Sequence, residues 1–408
     1  MSANGIEELP FLRRLMRLKY ILTPLLMLLA LPPCLGHAQQ DTTLNLDVQI
    51  RARSEWRDGY KLTVTPGTDA SLVTIQRSRL TLNGDWNRFD FRFGAQDIRT
   101  FGGPAGQTQG TIGVSEAWWA WNSSGGMRVT VGRQEIKFDD ERVVGAVNWS
   151  NPGRFLDGIR WDRRTDDPTK GNTTAALTWD ELNQTRRIMA YHRAMIGEHH
   201  RLSVLIFDQD SDAEPSALTA GFTTRSKLGS KAWWATEAYL QKWDGGGTAS
   251  MVIADAGLNG TDGHQWSTGL DLLTDDASSA AFQPFLGTNH KHYGWIDQFY
   301  VGTQSNGLTS LRLRHIGPLG QDKAWGATAH HFRDAMFGSL LGNELDLWVT
   351  GKTDGALTWH VGWSVFDPTV RHVERQGDVT PDAWNDAARR LQQWGWVSLN
   401  FTPSFDLR

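Results

Sequence analysis

Eight arginines lie on the polar side of stretches in which polar and apolar residues alternate. They are Arg51, Arg53, Arg77, Arg79, Arg92, Arg128, Arg312 and Arg314. Three Arg-x-Arg pairs occur among them, and in a β-strand the two members of such a pair point to the same side, about 7 Å apart. Guanidinium groups bind carboxylates through two parallel hydrogen bonds. Along a narrow, water-filled passage, these side chains would attract anions. The alternative is that nearby Asp and Glu residues pair with the arginines and only make the wall rigid.

The stretch LNLDVQIRARSEW (44–56) shows which kind of element must position the arginines. Its apolar residues occupy even positions and its charged residues occupy odd ones. A period of two is typical of a β-strand with one apolar and one polar face. The same period recurs in 78–86, 88–96, 127–134, 309–317, 357–366 and 396–401. Turn-forming clusters such as NSSGG and QSNG separate these stretches, and we count about nineteen candidate strands.

A soluble sandwich or propeller and a membrane barrel both have alternating strands. The chain has 20 Trp and 17 Phe, and several Trp residues lie at strand ends. Aromatic girdles at both interfaces are typical of outer-membrane barrels, and no repeat of propeller-blade length is visible. We therefore predict an all-β, closed, antiparallel transmembrane β-barrel, with the apolar faces towards lipid and the arginines towards the lumen. Because such barrels have even strand numbers, at least one of the nineteen candidate strands must be wrong.

The first 40 residues contain the one long apolar run of the chain. Four basic residues precede ILTPLLMLLALPPCLG, and Ala38 follows as a small residue at a cleavage position. We predict a signal peptide over 1–38 and a single barrel domain over 39–408. Cys34 is the only cysteine, and two prolines before it argue against a lipid anchor. The 41 basic and 45 acidic residues give a net charge of −4, so a basic lumen would have to be local.

Three motifs resemble those of the alginate export channels of Gram-negative outer membranes. They are VGRQEIKFDDERVVGAVNWSNPGRFLDGIRW (131–161), LGTNHKHYGWIDQFYVG (286–302) and LGNELDLWVT (341–350). The resemblance implies an eighteen-stranded barrel, with 16 strands as the alternative, and an electropositive lumen that exports an anionic polysaccharide. By matching position it adds candidate lumen or constriction residues to the eight arginines: Arg133, Arg142, Arg154, Asp157, Arg160, Lys291, Asp297, Glu344 and Asp346.

Two further features have less specific patterns. The segment TPDAWNDAARRLQQW (380–394) begins with helix-start signals and predicts a short helix in the last long loop, either as a surface ornament or as a plug or lid. The pairs His199–His200, His290/His292 and His330–His331 lack the spacing of a zinc site, so we expect solvated loop histidines and no metal. No phosphate-binding loop or recognisable Ser–His hydrolase motif is present in the sequence.

These observations predict an outer-membrane channel of a Gram-negative bacterium that passes anionic solutes, and not an enzyme. The first hypothesis is export of a uronate-containing, alginate-like exopolysaccharide. The alternatives are a general or small-anion uptake porin and, from a different class, a barrel-borne hydrolase or adhesin. Expected partners are the anionic polysaccharide or small anions and outer-membrane lipid, with a periplasmic export scaffold as a candidate. No cofactor and no nucleic acid is expected.

Overall fold

The computed structural model describes residues 42–101, 110–276, 280–299, 307–353 and 355–407. The expected signal peptide, 1–38, lies outside these residues. In the described part of the chain, no helix is both long and apolar enough to cross a membrane.

The strands form one large antiparallel sheet and one small hairpin. The bounds are β1 (Thr43–Asp58), β2 (Ser71–Trp86), β3 (Phe89–Phe101), β4 (Gly110–Asn122), β5 (Met127–Gln134), β6 (Leu156–Arg163), β7 (Asn172–Asp180), β8 (Thr185–Ile196), β9 (His200–Ser211), β10 (Ala217–Leu228), β11 (Ala232–Trp243), β12 (Thr248–Asn259), β13 (Gln265–Leu273), β14 (Asp275–Asp276), β15 (Ala280–Ala281), β16 (Leu308–Pro318), β17 (Lys323–Arg333), β18 (Leu340–Lys352), β19 (Leu357–Pro368), β20 (Gln392–Phe401) and β21 (Ser404–Asp406). The β14–β15 hairpin stands apart, and β21 continues the line of β20 along β1.

The large sheet closes on itself. Each barrel strand pairs with its neighbour in the sequence, and β1 pairs with both β2 and β20. Arg51, for example, lies opposite Arg77 on one side and Asn400 on the other. With β20 and β21 taken as one line, the barrel has eighteen strands, as the sequence predicts.

Side chains alternate between the outside and the inside of the barrel, as expected from the period of two. On β3, Phe89, Phe91 and Phe93 are exposed on the outer surface, whereas Arg92 between them bonds Glu116 inside. Along β16, Leu311 and Leu313 are exposed and alternate with Arg312 and Arg314. The apolar outer face is the surface that lipid would cover, and the polar face lines the interior.

The connections differ in length at the two ends of the barrel. One end has short turns such as 87–88 and 123–126. The other end has the long connections 135–155, 274–307 and 369–391. In outer-membrane barrels, short turns face the periplasm and long loops face the outside.

Two of the long connections fold into the barrel. We call residues 135–155 the first inner loop and residues 282–299 the second inner loop. Their apolar side chains, including Phe138, Val144, Phe282 and Ile296, form the buried core together with inward residues of the wall. Val144 and Leu286 join the two loops in a parallel β-bridge, and Gly145 N–H donates to the Leu286 carbonyl at 2.8 Å.

The third long connection contains both α-helices of the described residues. A helix covers Val370–Gln376, is capped by the Thr369 hydroxyl and ends at Gly377, whose φ is +72°. Single 3₁₀ turns cover Pro381–Ala383, Asn289–Lys291 and Ala335–Phe337, and a short α-helix covers Trp384–Ala388. A helix in the last long loop is thus confirmed. Helical residues begin at Pro381, as the start signals predict, but the predicted end at Trp394 is wrong, because the helix ends at Ala388 and β20 begins at Gln392.

Candidate functional site

The arginines of β1 and β2 bind the first inner loop inside the barrel. Arg51 donates to the carbonyls of Asn148 and Ser150 at 2.9 and 3.0 Å, and Arg53 donates to the carbonyl of Trp149 at 2.8 Å. Arg77 reaches the same segment. Arg51, Arg53 and Arg77 are all buried. They face inwards as predicted, but they hold a loop instead of lining an open passage.

Other predicted arginines pair with groups of the wall. Arg79 donates to Gln96 at 2.8 Å and also reaches the first inner loop at Pro152. Arg92 pairs with Glu116 at 2.8 Å. Arg128 bonds Asp90 and Asn122.

Polar contacts tie the two inner loops to each other. Arg154 donates to the carbonyls of Gly145, Leu286 and Gly287, and Lys291 pairs with Asp140 at 2.7 Å. Burial raises the pKa of Asp140, but neighbouring cations outweigh this effect and place the pKa well below its ordinary value. Because burial also keeps His292 neutral by lowering its pKa, we assign this effect to Lys291 and Arg142. The loops therefore form one unit across the lumen.

Arg142 fixes the first inner loop to the wall. Its guanidinium is fully buried and lies among the carboxylates of Glu237, Asp255 and Asp271 on three neighbouring strands. Burying an isolated guanidinium would cost several kcal/mol, so these carboxylates are needed for the loop to stay inside. Arg142 is part of the framework and is not accessible to a solute.

The acidic candidates hold the second inner loop. Glu344 accepts the Ile296 N–H at 2.8 Å, and Gly294 passes so close that a Cβ there would lie 2.2 Å from the Glu344 carboxylate. Asp297 accepts the Tyr60 hydroxyl at 2.6 Å and bonds His290 at 2.8 Å. Asp346 is buried beside Ser364 and His330. Glu344 thus holds the loop backbone from the wall, Asp297 ties the loop to Tyr60, and Asp346 stays within the wall.

Two candidates lie on the outer surface, so their expected position in the lumen is wrong. Arg133 and Asp157 face each other across β5 and β6 and pair at 2.5 Å. They share the outward side of their strands with Val131 and Ile159, and both are well exposed. The motif match alone makes them candidate lumen residues, whereas the alternation of side chains along their strands places them on the outer face of the barrel.

For three of the histidines, the expectation that they lie solvated in loops is wrong. His290 and His292 lie buried in the second inner loop, and His330 is buried on β17, where its ring contacts Asp346 at 3.4 Å. His199 and His200 are exposed at a turn, as expected. In the described residues, no group of three or more potential ligands is arranged to hold a metal ion.

One cavity of about 340 Å³ lies between the inner loops and the wall from β10 to β17. We call it the basic cavity. Its charged lining groups are the cations of Arg225, Lys291, Arg312 and Arg314 and the carboxylates of Asp140 and Asp255. Trp233 and Trp295 add aromatic surface. The lining thus carries a net positive charge of two.

The cations of the basic cavity differ in how far they are neutralised. Arg312 pairs with Asp255 at 2.5 Å, and Lys291 pairs with Asp140. Among the described residues, Arg314 has no hydrogen-bond or ion-pair partner, and its Nε is buried without one. Arg225 lies over the Trp233 ring at 4.3 Å and likewise has no carboxylate partner there. Arg225 and Arg314 are therefore the groups best able to bind an anion.

A second cavity of about 310 Å³ lies against β4, β5 and β6. We call it the balanced cavity. Arg128, Arg160 and Arg164 line it together with Glu116, Glu135 and Asp162. Its charges cancel, and Arg160 pairs with Asp162 at 2.9 Å. Since β5 and β16 are nine of eighteen strands apart, the two cavities lie on opposite walls.

The alternation of residues could have identified some of the residues that the sequence analysis missed. Arg225 lies on the inward side of β10 with Thr223, and Trp233 lies on the inward side of β11 with Glu237. Trp295, Asp140 and the position of Lys291 depend on how the loops fold inwards, and a strand period carries no signal for that.

Comparison with known proteins agrees with this architecture. No curated protein sequence matches the chain. The outer-membrane protein OpdK of Pseudomonas aeruginosa superimposes with a TM-score of 0.61 at 11% identity, covering 89% of this chain and 99% of that chain. Acinetobacter baumannii OccAB1 gives 0.63 at 11% identity over 89% and 97%, and OccAB2 gives 0.62 at 12% over 90% and 98%. At these identities the likeness shows the fold.

The sequence itself matches one family model, that of alginate export, over residues 42–248. Together with the closed barrel and its apolar outer face, this match identifies an outer-membrane channel of a Gram-negative bacterium. The family and the structural neighbours are channel proteins and not enzymes. Because the match covers half of the sequence, the chain belongs to the alginate export family.

Proposed function

We propose that the barrel passes carboxylated solutes along the basic cavity, and that its substrate is a uronate-containing exopolysaccharide leaving the cell. The observation that carries the proposal is the charge of the two cavities: one is net positive with two arginines that lack carboxylate partners, and the other is neutral. A local excess of guanidinium groups in a low-dielectric wall concentrates anions. We also propose that the signal peptide, residues 1–38, is cleaved after Ala38.

The lining offers both binding and release. Arg225 and Arg314 can each receive a carboxylate, and Trp233 and Trp295 offer flat apolar surface for a sugar ring. Asp140 and Asp255 neutralise the other two cations, Lys291 and Arg312, by pairing with them. A passage that bound its solute too tightly would not conduct, so weak and repeated sites favour transport.

The test is the ion selectivity of purified protein in planar bilayers under a KCl gradient. Replacing Arg225 and Arg314 with Ser removes two cations and leaves no carboxylate unpaired. We expect the reversal potential to move towards that of a non-selective pore. The matched control is Arg160→Ser in the balanced cavity, where the loss of one cation leaves Asp162 behind. Unchanged selectivity in the double variant would overturn the proposal.

A second candidate, uptake of small carboxylates, is favoured by the contents of the lumen. Two interlocked loops cross it, and the described cavities of about 340 and 310 Å³ are comparable to a drug-sized ligand pocket and far smaller than a polymer. One structural neighbour, OpdK, has been crystallised with vanillate, a small carboxylate, at a TM-score of 0.61 and 9% identity over 89% of this chain and 99% of that chain.

The length of the blocking solute separates the two candidates. Uronate monomers, dimers and longer oligomers are added to one side of the bilayer while single-channel current is recorded. For an export channel we expect residence times to grow with chain length, because each added carboxylate meets a further cation. For a small-anion porin, block should saturate at one or two units. A periplasmic export scaffold remains a proposed partner of the first candidate only.

A further inference from the structure

Two of the strand pairings in the described residues place arginines directly opposite each other on the inner face of the barrel. Arg51 lies opposite Arg77 across β1 and β2, and Arg201 lies opposite Arg225 across β9 and β10. The Cβ atoms of directly opposite residues are about 4.5–5.5 Å apart, and like charges in such positions destabilise the sheet. Acceptor groups between the two guanidinium groups would remove this cost.

The first pair finds its acceptors within the chain. The carbonyls of Asn148 and Ser150 accept N–H groups of Arg51 at 2.9 and 3.0 Å. The same two carbonyls accept N–H groups of Arg77 at 3.4 and 3.2 Å. This segment of the first inner loop thus shows how an opposed arginine pair is satisfied: oxygen atoms lie between the two side chains.

The second pair lacks such acceptors. Among the described residues, neither Arg201 nor Arg225 has a hydrogen-bond partner for its guanidinium group. The carboxylate of Asp139 lies 3.8 Å from Arg201, which is too far for a hydrogen bond. The nearer oxygen of Asp139 already accepts two hydroxyl groups of the wall at 2.9 Å each. The repulsion between Arg201 and Arg225 is therefore only partly offset.

The neighbouring strands hold Arg225 away from Arg201. Gly257 lies directly opposite Trp233 across β11 and β12, and a Cβ on Gly257 would lie 2.5 Å from the indole ring. The indole therefore rests against bare backbone, and the guanidinium of Arg225 lies 4.3 Å from the ring centre. Arg225 thus leans towards β11 and is exposed, while the Arg201 side chain on β9 is 32% accessible. A solute in the lumen can reach both.

The pair lies near the short-turn end of the barrel, which faces the periplasm in outer-membrane barrels. Arg201 follows the first residue of β9, directly after the turn 197–199, and Arg225 lies three residues before the end of β10. Arg225 also lines the basic cavity. A solute that enters the basic cavity from the periplasm along this wall therefore meets Arg201 and Arg225 first.

We infer that Arg201 and Arg225 together bind a carboxylate group of the transported solute at the periplasmic entrance of the basic cavity. The inference rests on the proposed function for the class of solute. A carboxylate offers two oxygen atoms to guanidinium donors, and between these side chains it takes the place that the loop carbonyls occupy between Arg51 and Arg77. Its negative charge removes the repulsion, so the occupied site is more stable than the empty one. Cations at an entrance also raise the arrival rate of anions.

Protection of the purified, full-length protein against thermal unfolding tests the site without any transport. We expect a uronate trimer to raise the unfolding midpoint of the wild type, and this rise to be lost in Arg201→Ser. Arg193→Ser is the matched control, because Arg193 also faces inwards near the same end but lies opposite Asn172 and Ser203. It should keep the rise. Equal protection of the two variants would overturn the paired site.

The empty barrel provides a second readout. Without uronate and at low salt, Arg201→Ser should unfold at a higher temperature than the wild type, because it removes a like charge opposite Arg225. Arg193→Ser removes no directly opposed charge and should not show this gain. Arg201→Gln repeats the comparison if the serine variant fails to fold. A lower midpoint for the folded Arg201 variant than for the wild type would contradict an unsatisfied pair.

Side-resolved channel block tests the place of the site. In a Cys34→Ser background, Ser230→Cys in the exposed short turn 229–231 reports the orientation of each barrel through a membrane-impermeant thiol reagent. Loss of one charge-assisted contact should make block by the trimer from the short-turn side about tenfold rarer in Arg201→Ser. Block from the long-loop side should change little. Equal loss from both sides would refute an entrance site.

Failure of this inference and failure of the proposed function give different results. Arg201→Ser leaves Arg225 and Arg314 in place, so it does not repeat the selectivity test of the double variant. Lost selectivity in the double variant, with Arg201→Ser and Arg193→Ser alike, would keep the channel proposal and remove the entrance site. Unchanged selectivity, with trimer protection lost only in Arg201→Ser, would keep the site and overturn the route along the basic cavity.

Discussion

At the scale of single residues, the interior arginines divide into those that hold a loop and those that line a cavity. Arg51 and Arg77 are directly opposite across β1 and β2, a placement in which like charges repel. The carbonyls of residues 148–151 offset this repulsion by accepting their N–H groups. Arg314, in contrast, turns into the basic cavity without a partner among the described residues.

This division predicts that Arg51→Met loosens the first inner loop. The substitution keeps much of the side-chain volume but removes the three bonds that Arg51 donates to Asn148, Ser150 and Asn151. The carbonyls of Asn148 and Ser150 then keep only the longer bonds from Arg77, at 3.4 and 3.2 Å, and a bond from a charged donor contributes about 1.5–3 kcal/mol. We expect amide exchange in residues 148–151 to rise at least tenfold and single-channel current to become noisier. Arg92→Met is the control, because Arg92 pairs with Glu116 and does not contact the loop. Equal effects of both substitutions would contradict the division.

The sequence could predict the side of the strand on which each β1, β2 and β16 arginine lies, but not its role. Parity follows from the two-residue period alone, so Arg51 and Arg314 look alike in the sequence. Their roles depend on which loop segment comes to rest against them, 97 residues away in the case of Arg51 and Asn148. Arg133 is a lumen candidate only by its position in the motif, whereas its place in the two-residue period of β5 predicts the outer face.

At the scale of elements, the strands were predictable and the inner loops were not. Alternation is a local property, and closure of an antiparallel barrel follows from short connections between successive strands. The inward path of 135–155 depends on Arg142 reaching Glu237, Asp255 and Asp271, which lie 95 or more residues away. Nothing in the sequence of β11 to β13 predicts that their acidic residues pair with an arginine of a distant loop.

The helix Val370–Gln376 packs on the second inner loop through His372. The imidazole is buried, bonds Gln298 at 3.0 Å and lies against Phe299 and Phe366. Burial, with a smaller effect of Arg375, lowers the pKa of His372 to about 3 from an ordinary value of 6.5. The third loop is therefore more than a surface ornament, since a neutral histidine joins it to the lumen.

This lowered pKa predicts that the helix releases in acid. The released helix binds a proton below pH 6.5, whereas the docked helix does not until about pH 3. Docking is thus at full strength above pH 6.5 and weakens by about 1.4 kcal/mol for each pH unit below it. We expect exchange protection of residues 370–376, corrected for the intrinsic rate, to fall between pH 7 and pH 5. In His372→Gln that dependence should disappear, and its persistence would assign it to another group.

At the scale of the whole molecule, the barrel is wider than the passage it leaves. Barrels of 16 to 18 strands ordinarily enclose an aqueous channel. Here two joined loops occupy the middle, and the described cavities lie on opposite sides of them. A small anion could follow one side while the loops stay in place. A polymer of many uronate units would need the loops to move.

A reversible cross-link between the inner loops tests whether transport needs that movement. Val144 and Leu286 are bridge partners, and strands so paired are about 5 Å apart, within the span of a disulfide. In a Cys34→Ser background, Val144→Cys with Leu286→Cys can be studied oxidised and reduced, so that each protein is its own control. We expect uronate monomers to pass equally in both states, because the cavities lie beside the bridge. Passage of long oligomers only after reduction would support polymer export by loop separation, whereas their exclusion in both states would favour the small-anion porin. Passage of oligomers in the oxidised state would show that the joined loops are not the barrier, and the constriction would then have to be sought in the wall itself.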